Sequence, residues 1–262
     1  MKSDYKSIVT LISLAFKAGG EIMNLYNQEI KFNLKNDLSP ITQADRISDE
    51  IIVNGLNKEF SEIQCISEES YSKINMKSLS NTFFLVDPLD GTKEFIEKND
   101  EFTVNIALIN KNKPELGVIY APAKNKIFFT DDDSKAYELE VGNYQNELNL
   151  NRSKRISVSK ETKNLIAITS RSHNNEATKN FLEKYEIKEK IICGSSLKFC
   201  LVANGQANIY PRLGPTKEWD TAAGHAILEN AGGKIKSLND KELLYGKKNE
   251  DFLNPEFIAS NF

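Results

Sequence analysis

The sequence is poor in the residues that build zinc sites and disulfides. Its 262 residues include three cysteines and two histidines. Cys65, Cys193 and Cys200 form no C-x-x-C pair, and an odd number cannot pair completely within one chain. This usage favours reduced, buried thiols and a cytoplasmic location. A zinc site of histidine and cysteine is therefore not expected, and oxygen atoms remain as the ligands for a metal.

The chain also lacks a strong excess of charge of either sign. It carries 34 basic and 37 acidic residues, which gives a formal net charge of -3. No global basic field points to a nucleic acid, so none is expected as a partner. No apolar run approaches membrane-spanning length, so no membrane-spanning segment is expected, and peripheral association with the inner membrane stays open as an alternative. The apolar run from Ile8 to Phe16 continues at helical spacing to Tyr26. We interpret it as an amphipathic first helix.

Helix and strand patterns both occur along the chain. Apolar spacing predicts helices through Tyr26 and at 43–60, 176–185, 195–204 and 221–230. Strand patterns occur at 83–86, 102–109, 117–120, 126–130, 165–169 and 207–210. Between the first two helices, the polar stretch 31–38 leads to a predicted turn at Ser39-Pro40. The polar segment 147–155 is interpreted as the seam between a lobe at 1–150 and a lobe at 151–262. The mixture predicts an α/β protein of layered helices and sheets (α+β, with mainly antiparallel strands in the first lobe).

An acidic motif, Asp87-Pro88-Leu89-Asp90-Gly91-Thr92, follows the predicted strand at 83–86. Pro88 fixes φ, and Gly91 can adopt conformations that are closed to other residues, so the chain can turn sharply here. The turn would bring Asp87 and Asp90 together. Two carboxylates held close repel each other unless a proton or a cation lies between them. A hard divalent cation fits this position, with the backbone carbonyl of Leu89 as a further ligand.

Other acidic residues sit at comparable places, and each has an ordinary structural alternative. Glu68 follows the apolar stretch 63–66, at the end of a predicted strand. Asp220 lies at the start of a predicted helix, where an aspartate is more often an N-cap. Asp45 lies in the first turn of the second predicted helix, where it would usually stabilise the helix dipole.

Taken as a set, these residues predict metal-assisted hydrolysis of a phosphate ester. Two or more Mg²⁺ ions bridged by Asp87 would lower the pKa of a bound water and neutralise the phosphate during in-line attack. Thr92 would orient the water, with Asp45 accepting the threonine proton. The backbone N–H groups of Gly91 and Thr92 would hold phosphate oxygens if a helix begins near Thr92.

The ordered set closely resembles the inositol monophosphatase superfamily of Mg²⁺-dependent phosphatases. That pattern is an Asp, then Glu-Glu, then D-P-[IL]-D-[GS]-T, then W-D, eleven residues and G-G. It is matched here by Asp45, Glu68-Glu69, DPLDGT at 87–92, Trp219-Asp220 and Gly232-Gly233. The resemblance implies a sugar-phosphatase fold of alternating helix and sheet layers. It also implies metal ligation by Glu68, Asp87, the Leu89 carbonyl, Asp90 and Asp220, and a catalytic role for Asp45, Thr92 and Glu68.

Longer runs resemble the CysQ branch of that superfamily. These runs are DPLDGTKEFIEKNDEFTVNIALI, SRSH at 170–173, GSSLKFCLVANGQANIYPRLGPT at 194–216 and WDTAAGHAIL at 219–228. The branch consists of 3'(2'),5'-bisphosphate nucleotidases. The resemblance therefore implies removal of the 3'-phosphate from adenosine 3',5'-bisphosphate, a by-product of sulfate activation and sulfo-group transfer.

A bisphosphorylated nucleotide carries a second phosphate that the metal ions do not cover. The pocket would need further cationic donors, and Lys198 and Arg212 are the candidates. Ser195 and His173 would add hydrogen bonds to phosphate or ribose. Gly91, Thr92 and Asp220 complete the expected substrate contacts. The residues alone would favour a solvated helix face for Lys198 and loop positions for His173 and Ser195.

Three other functions remain as alternatives. An aspartyl-phosphate phosphatase uses two aspartates at i and i+2, whereas Asp87 and Asp90 are three apart and Glu68 would have no role. An inositol or sugar monophosphatase of the same superfamily would act on a different phosphate ester. A nucleotide- or metal-sensing module would bind without turnover, but binding an anion would not require four carboxylates.

Overall fold

The computed structural model describes residues 5–35, 37–71, 79–142, 148–172 and 175–262. The helices are α1 (Tyr5–Tyr26), α2 (Gln43–Glu59), α3 (Thr92–Ile96), α4 (Glu176–Leu182), α5 (Leu197–Ala203) and α6 (Glu218–Asn230). The first nine strands are β1 (Phe32–Leu34), β2 (Pro40–Thr42), β3 (Gln64–Ser67), β4 (Thr82–Asp90), β5 (Thr103–Asn110), β6 (Lys113–Ala121), β7 (Lys126–Thr130), β8 (Ala136–Glu140) and β9 (Lys154–Ile156). The others are β10 (Leu165–Ser170), β11 (Ile187–Cys193), β12 (Ile209–Arg212), β13 (Lys234–Ser237) and β14 (Phe257–Ser260).

A seven-stranded sheet runs in the order β3-β4-β5-β6-β7-β8-β9. β3 and β4 are parallel, and the other neighbouring strands are antiparallel. Side chains of β4 alternate between two cores. Phe84 and Val86 pack in the core that includes α1 and α2, whereas Phe83 and Leu85 pack in the core that includes Ala223 of α6. Because both faces of this strand are buried, its sequence is a continuous apolar run.

A five-stranded sheet follows in the order β11-β10-β12-β14-β13. β10 is parallel to β11 and β12, and β14 is antiparallel to β12 and β13. The carboxyl ends of β10 and β11 lie side by side, where Ser170 pairs with Cys193. This edge is the place where open α/β sheets bind ligands. This edge of the sheet lies near the end of β4, where the backbone N–H of Ser196 donates to Asp90 Oδ2 at 2.6 Å.

The layered α/β architecture predicted from the sequence is confirmed, and each predicted helix and strand has a counterpart. Boundaries differ most in β4, which continues to Asp90 rather than ending at 86, and in β6, which begins at Lys113 rather than at 117. The predicted turn at Ser39-Pro40 is placed slightly too late: the chain turns before Ser39, whose carbonyl accepts from the Lys35 N–H, and Pro40–Thr42 forms β2 and pairs with β1. A two-stranded ribbon tolerates proline, since an outward-facing position needs no backbone N–H donor.

α1 has the length and apolar composition that a membrane-spanning helix requires, contrary to the expectation from the sequence. Ile8, Leu11 and Ile22 of this helix are buried in the core beside the seven-stranded sheet. One buried face is typical of an amphipathic helix in a globular core. The composition of α1 is thus explained by its burial within the protein.

The division into lobes at 1–150 and 151–262 stays a prediction. The last strand of the seven-stranded sheet, β9, lies at Lys154–Ile156, beyond the predicted boundary. α6 of the second half also packs directly on the first sheet: a Cβ added at Gly117 of β6 would meet the carbonyl oxygen of Ala223 and lie 3.0 Å from Ala226 Cβ. This close approach holds the helix that carries Asp220 against the strands that carry the other carboxylates.

We therefore predict that Gly117→Ala lowers the free energy of unfolding by about 1–3 kcal/mol, because the new methyl group overpacks the contact between β6 and α6. The measurement is urea denaturation followed by circular dichroism. Gly214→Ala is the matched control, since its Cβ would lie 3.6 Å from Asn175 Nδ2, at ordinary contact distance. Equal stability of the two variants would contradict the predicted overpacking.

Candidate active site

A cleft of about 350 Å³ lies where the end of β4 meets the beginnings of α3, α5 and α6. It gathers side chains from both halves of the sequence. The predicted site residues that line it are Glu68, Asp87, Leu89, Asp90, Gly91, Thr92, Ser195, Lys198, Arg212 and Asp220. Asp45 lies behind Thr92 and contacts it. His173 lies outside the described residues.

The end of β4 is irregular, and this irregularity brings its two aspartates into the cleft. Asp87 pairs with Asn105 and Asp90 with Thr103, so the register shifts between them. Gly91 then adopts a left-handed conformation with φ of 92°, and α3 begins at the next residue. Glycine adopts this conformation without the steric cost that a Cβ would impose. The motif therefore turns the chain as its composition predicts.

Three carboxylates from distant parts of the chain meet at this point. Oxygen atoms of Glu68, Asp87 and Asp220 lie within 4.8 Å of one another. Burial is the largest cause that raises the pKa of each of the three groups above its ordinary value. Repulsion from neighbouring carboxylates, including Asp90, raises these pKa values further. A hard divalent cation fits this set of oxygen donors, because it would remove the repulsion.

Asp90 is held differently from these three residues. Its Oδ2 atom accepts hydrogen bonds from Ser195 Oγ at 2.9 Å and from the Ser196 N–H at 2.6 Å. Asn105 Nδ2 lies 3.4 Å from the same oxygen. Thr103 Oγ1 contacts both serine hydroxyls, at 2.5 and 2.7 Å. This buried network fixes the Asp90 carboxylate and joins the two sheets beneath the cleft.

Thr92 and Asp45 form a directed pair at the beginning of α3. Thr92 Oγ1 donates to Asp45 Oδ1 at 2.9 Å. The other carboxylate oxygen accepts from the backbone N–H and the hydroxyl of Thr42, at 2.7 and 2.6 Å. Burial raises the pKa of Asp45, while the hydrogen bonds from Thr42 and Thr92 oppose this rise. Asp45 is therefore fixed on both sides of its carboxylate.

Asp45 and Asp220 also have structural roles at helix starts: Asp45 lies in the first turn of α2 as predicted, whereas Asp220 lies in the first turn of α6 and the N-cap is Lys217. Asp45 forms a capping box with Thr42 at the start of α2. Asp220 Oδ2 accepts from the Lys217 N–H at 2.9 Å at the start of α6. The interaction at each helix start uses one carboxylate oxygen, Oδ2, so the Oδ1 atom of each aspartate remains for another role. Capping and a place at the site are thus compatible in both residues.

Two buried cationic side chains, Lys198 and Arg212, line the same cleft. We call them its cationic side, and we call Glu68, Asp87 and Asp220 its carboxylate side. Lys198 is 5% exposed; its ammonium donates to the Ser195 carbonyl and lies 5.5 Å from the centre of the Tyr210 ring. Burial lowers the pKa of Lys198, although Asp90 opposes the change. Arg212 is 7% exposed and donates from Nη2 to the Pro215 carbonyl at 2.6 Å. Its Nε atom is buried without a hydrogen-bond partner among the described residues.

Lys35 is a site residue that sequence reasoning missed. Its ammonium lies 2.7 Å from Glu68 Oε1 and 2.5 Å from Glu69 Oε1. It follows β1 directly, in a stretch that reads only as polar in the sequence. The ordered pairing of β1 with β2 places it over the carboxylates, and no spacing in the sequence signals that pairing.

Comparison with known proteins agrees with this geometry. The model of the inositol monophosphatase family matches residues 4–261. The chain belongs to the inositol monophosphatase family. Family membership confirms the resemblance and the fold class that the sequence motifs predict.

Within the inositol monophosphatase family, the chain is similar to several proteins named 3'(2'),5'-bisphosphate nucleotidase CysQ. It is 45% identical to the one from Buchnera aphidicola over 258 residues, covering 97% of this chain and 94% of the relative. It is 41% identical to the one from Escherichia coli K12 over 249 residues, covering 94% and 96%. The crystal structure of CysQ from Bacteroides thetaiotaomicron superposes with a TM-score of 0.83 at 37% identity, covering 98% of both chains.

We predict that Asp87→Asn stabilises the metal-free protein by about 1–3 kcal/mol near pH 8. A raised carboxylate pKa in the folded state means that the folded protein binds more protons than the unfolded chain. Its stability therefore falls as the pH rises above the unfolded value. The neutral amide removes this loss and keeps an oxygen that can accept from the Leu89 N–H, which now donates to Asp87 Oδ1 at 3.1 Å.

The measurement is thermal unfolding in EDTA between pH 5.5 and 8.5, with exposed Glu59→Gln as the matched control. The wild type should lose stability as the pH rises, and Asp87→Asn should lose less. Addition of Mg²⁺ should stabilise the wild type and not the variant. Identical pH profiles for all three proteins would contradict the crowding of these carboxylates.

Proposed function

We propose that the chain hydrolyses the 3'-phosphate of adenosine 3',5'-bisphosphate to give AMP and inorganic phosphate. The observation that carries this proposal is that one cleft is lined both by a carboxylate cluster and by two buried cations, Lys198 and Arg212. Membership of a phosphatase family supports hydrolysis of a phosphate ester. The relatives named as bisphosphate nucleotidases, at 41–45% identity, support the substrate. The substrate is a small molecule, and a cytoplasmic location remains part of the proposal.

The carboxylate side would hold two or more Mg²⁺ ions. Glu68, Asp87 and Asp220 have the oxygen donors that Mg²⁺ prefers, and Asp90 and the Leu89 carbonyl line the same cleft. When bound, such ions supply a water of lowered pKa and neutralise the charge of the phosphate.

Thr92 and Asp45 would orient the attacking water. Because the Thr92 hydroxyl donates its proton to Asp45, the lone pairs of its oxygen remain to accept a hydrogen bond from water. Asp45 keeps this direction fixed, since its second oxygen is held by Thr42. Gly91 places the first N–H groups of α3 beside the cleft, where they suit the phosphate oxygens. Placing these groups beforehand reduces the entropic cost of reaching the reactive geometry.

The cationic side would bind the second phosphate. Lys198 and Arg212 are buried, and the unpartnered Nε of Arg212 is a donor that a phosphate oxygen would satisfy. Arginine grips phosphate through several donors, whereas lysine acts as a point charge. Ser195 is less available than the sequence indicates, because its hydroxyl already donates to Asp90. A contact from His173 remains an expectation.

This arrangement favours a bisphosphorylated nucleotide over an inositol monophosphate. A substrate with one phosphate would leave the buried cations without a phosphate partner. A site whose buried polar groups are left unpaired by one substrate strongly favours the substrate that pairs with them. The geometry also gives Glu68 and Asp220 a role that the aspartyl-phosphate alternative does not. The binding-module alternative predicts no turnover at all.

We predict that the wild type prefers adenosine 3',5'-bisphosphate to inositol 1-phosphate by about 100-fold or more in kcat/KM, because the second phosphate pairs with Arg212 and Lys198. Arg212→Gln should raise KM for the bisphosphate about tenfold, the cost of a lost charge-assisted hydrogen bond, and should hardly change hydrolysis of 3'-AMP. The measurement is release of inorganic phosphate from each substrate, with and without Mg²⁺.

Lys113→Gln is the matched control, since Lys113 forms an exposed ion pair with Glu242. Equal or reversed preference between the two substrates would support the inositol monophosphatase alternative. Absence of phosphate release from every ester in the presence of Mg²⁺ would support the binding module.

A further inference from the structure

A group of interactions beside the cleft joins the ends of β10 and β11 to the segment that follows α3. Arg171 Nε donates to Glu101 Oε2 and Arg171 Nη2 to Glu101 Oε1, both at 2.7 Å. The Gly194 N–H donates to Glu101 Oε2 at 2.7 Å. Ser172 Oγ donates to Glu94 Oε1 at 2.5 Å. We call these five residues, Glu94, Glu101, Arg171, Ser172 and Gly194, the acidic clamp.

The acidic clamp is packed tightly as well as hydrogen-bonded. A Cβ at Gly194 would lie 2.7 Å from Glu94 Cγ and 3.0 Å from the Glu101 carbonyl oxygen. A Cβ at Gly91 would also lie 3.0 Å from that carbonyl. Glycines at both positions therefore allow three backbone segments to meet at the edge of the cleft. Movement of the Gly194 segment is restricted by contact with Glu94 and Glu101.

Gly194 leads directly into the cationic side of the cleft. Ser195 follows with φ of 55°, a left-handed conformation that surrounding contacts must hold in place. α5 begins at Leu197 and carries Lys198, whose ammonium donates to the Ser195 carbonyl. The position of the Gly194 N–H thus sets the position of the backbone on which the Lys198 ammonium rests.

The carboxylate side of the cleft is held by other elements. Glu68 follows β3, Asp87 lies in β4 and Asp220 in α6, and no described hydrogen bond joins them to Glu101 or Arg171. Two contacts link them within the described part of the chain: Asp90 with Ser195 and Ser196, and Gly91 with the Glu101 carbonyl. Asp90 itself lies in β4 and pairs with Thr103 of β5, so its backbone does not depend on the acidic clamp.

We propose that Glu101 and Arg171 are positioning residues that align Lys198 with the second phosphate of the substrate, and so determine the preference for a bisphosphate over a monophosphate. This inference rests on the proposed function. Neither residue needs to touch the substrate, since both act through the Gly194 backbone. The acidic clamp is expected to affect KM for the bisphosphate and to leave the reacting phosphate unaffected.

The experiment compares steady-state kinetics on adenosine 3',5'-bisphosphate and 3'-AMP at saturating Mg²⁺. Arg171→Ala should raise KM for the bisphosphate about threefold to tenfold, with kcat and all constants for 3'-AMP within about twofold of wild type. Glu101→Ala should have the larger effect, because it also removes the acceptor of the Gly194 N–H. Arg171→Lys should recover part of the loss, since it keeps the charge but not the paired geometry.

Arg171 has a side chain that is 41% exposed, so its removal opens no core cavity. Glu242→Gln, which breaks an exposed ion pair elsewhere, is the matched control, and thermal unfolding reports on folding. Equal effects on both substrates, or no effect on either, in folded variants would overturn the positioning role. A wild type that does not prefer the bisphosphate would instead contradict the proposed function, and the inference with it; this outcome is visible before a variant is made.

Discussion

Mutual repulsion among crowded carboxylates, of which Asp87 is fully buried, is the constraint on which the rest of this site depends. Glu68, Asp87 and Asp220 bring their oxygens within 4.8 Å of one another, and Asp90 lies beside them. Such a cluster costs stability unless cations or protons neutralise it. The fold bears this cost because three separate features, the end of β3, the irregular end of β4 and the first turn of α6, are each anchored by a packed core.

The same cleft joins the two halves of the chain and two kinds of charge, and the second half supplies both cations and one carboxylate, Asp220. Carboxylates are supplied by the seven-stranded sheet and α6, and the buried cations Lys198 and Arg212 by α5 and β12. The polar network of Asp90, Ser195, Ser196, Thr103 and Asn105 connects these halves below the cleft. The acidic clamp connects them at its edge. A substrate with two phosphates would suit this combination, because the proposed function gives each phosphate its own set of partners.

Much of this organisation could be predicted from the sequence. The motif at 87–92 contains both the carboxylates that suit a metal ion and the residues that turn the chain. Its chemistry and its local geometry can therefore both be predicted from the sequence. Helices α1 and α2 and the strands of the first sheet follow from apolar periodicity. Asp45 and Asp220 show that an ordinary capping role and a place at the site can share one carboxylate, so local sequence alone does not choose between them.

Other parts could not be predicted, because they depend on contacts between distant segments. Lys35 reaches Glu68 and Glu69 only when β1 pairs with β2. The sequence does not indicate this pairing, because Pro40 is typical of a turn. The hydrogen bonds from Arg171 and Gly194 to Glu101 require the two sheets to pack against each other. The apolar periodicity of a segment does not predict contacts between sheets. The hydrogen bond from Ser195 to Asp90 depends on the same packing. The sequence therefore predicts Ser195 only as a substrate contact.

The most direct measurement of the central claim is anomalous diffraction from crystals of the protein grown with Mn²⁺ in place of Mg²⁺. The account predicts anomalous density between the carboxylates of Glu68, Asp87 and Asp220, with further density reached by Asp90. These side chains standing apart, with no ion bound among them, would contradict it.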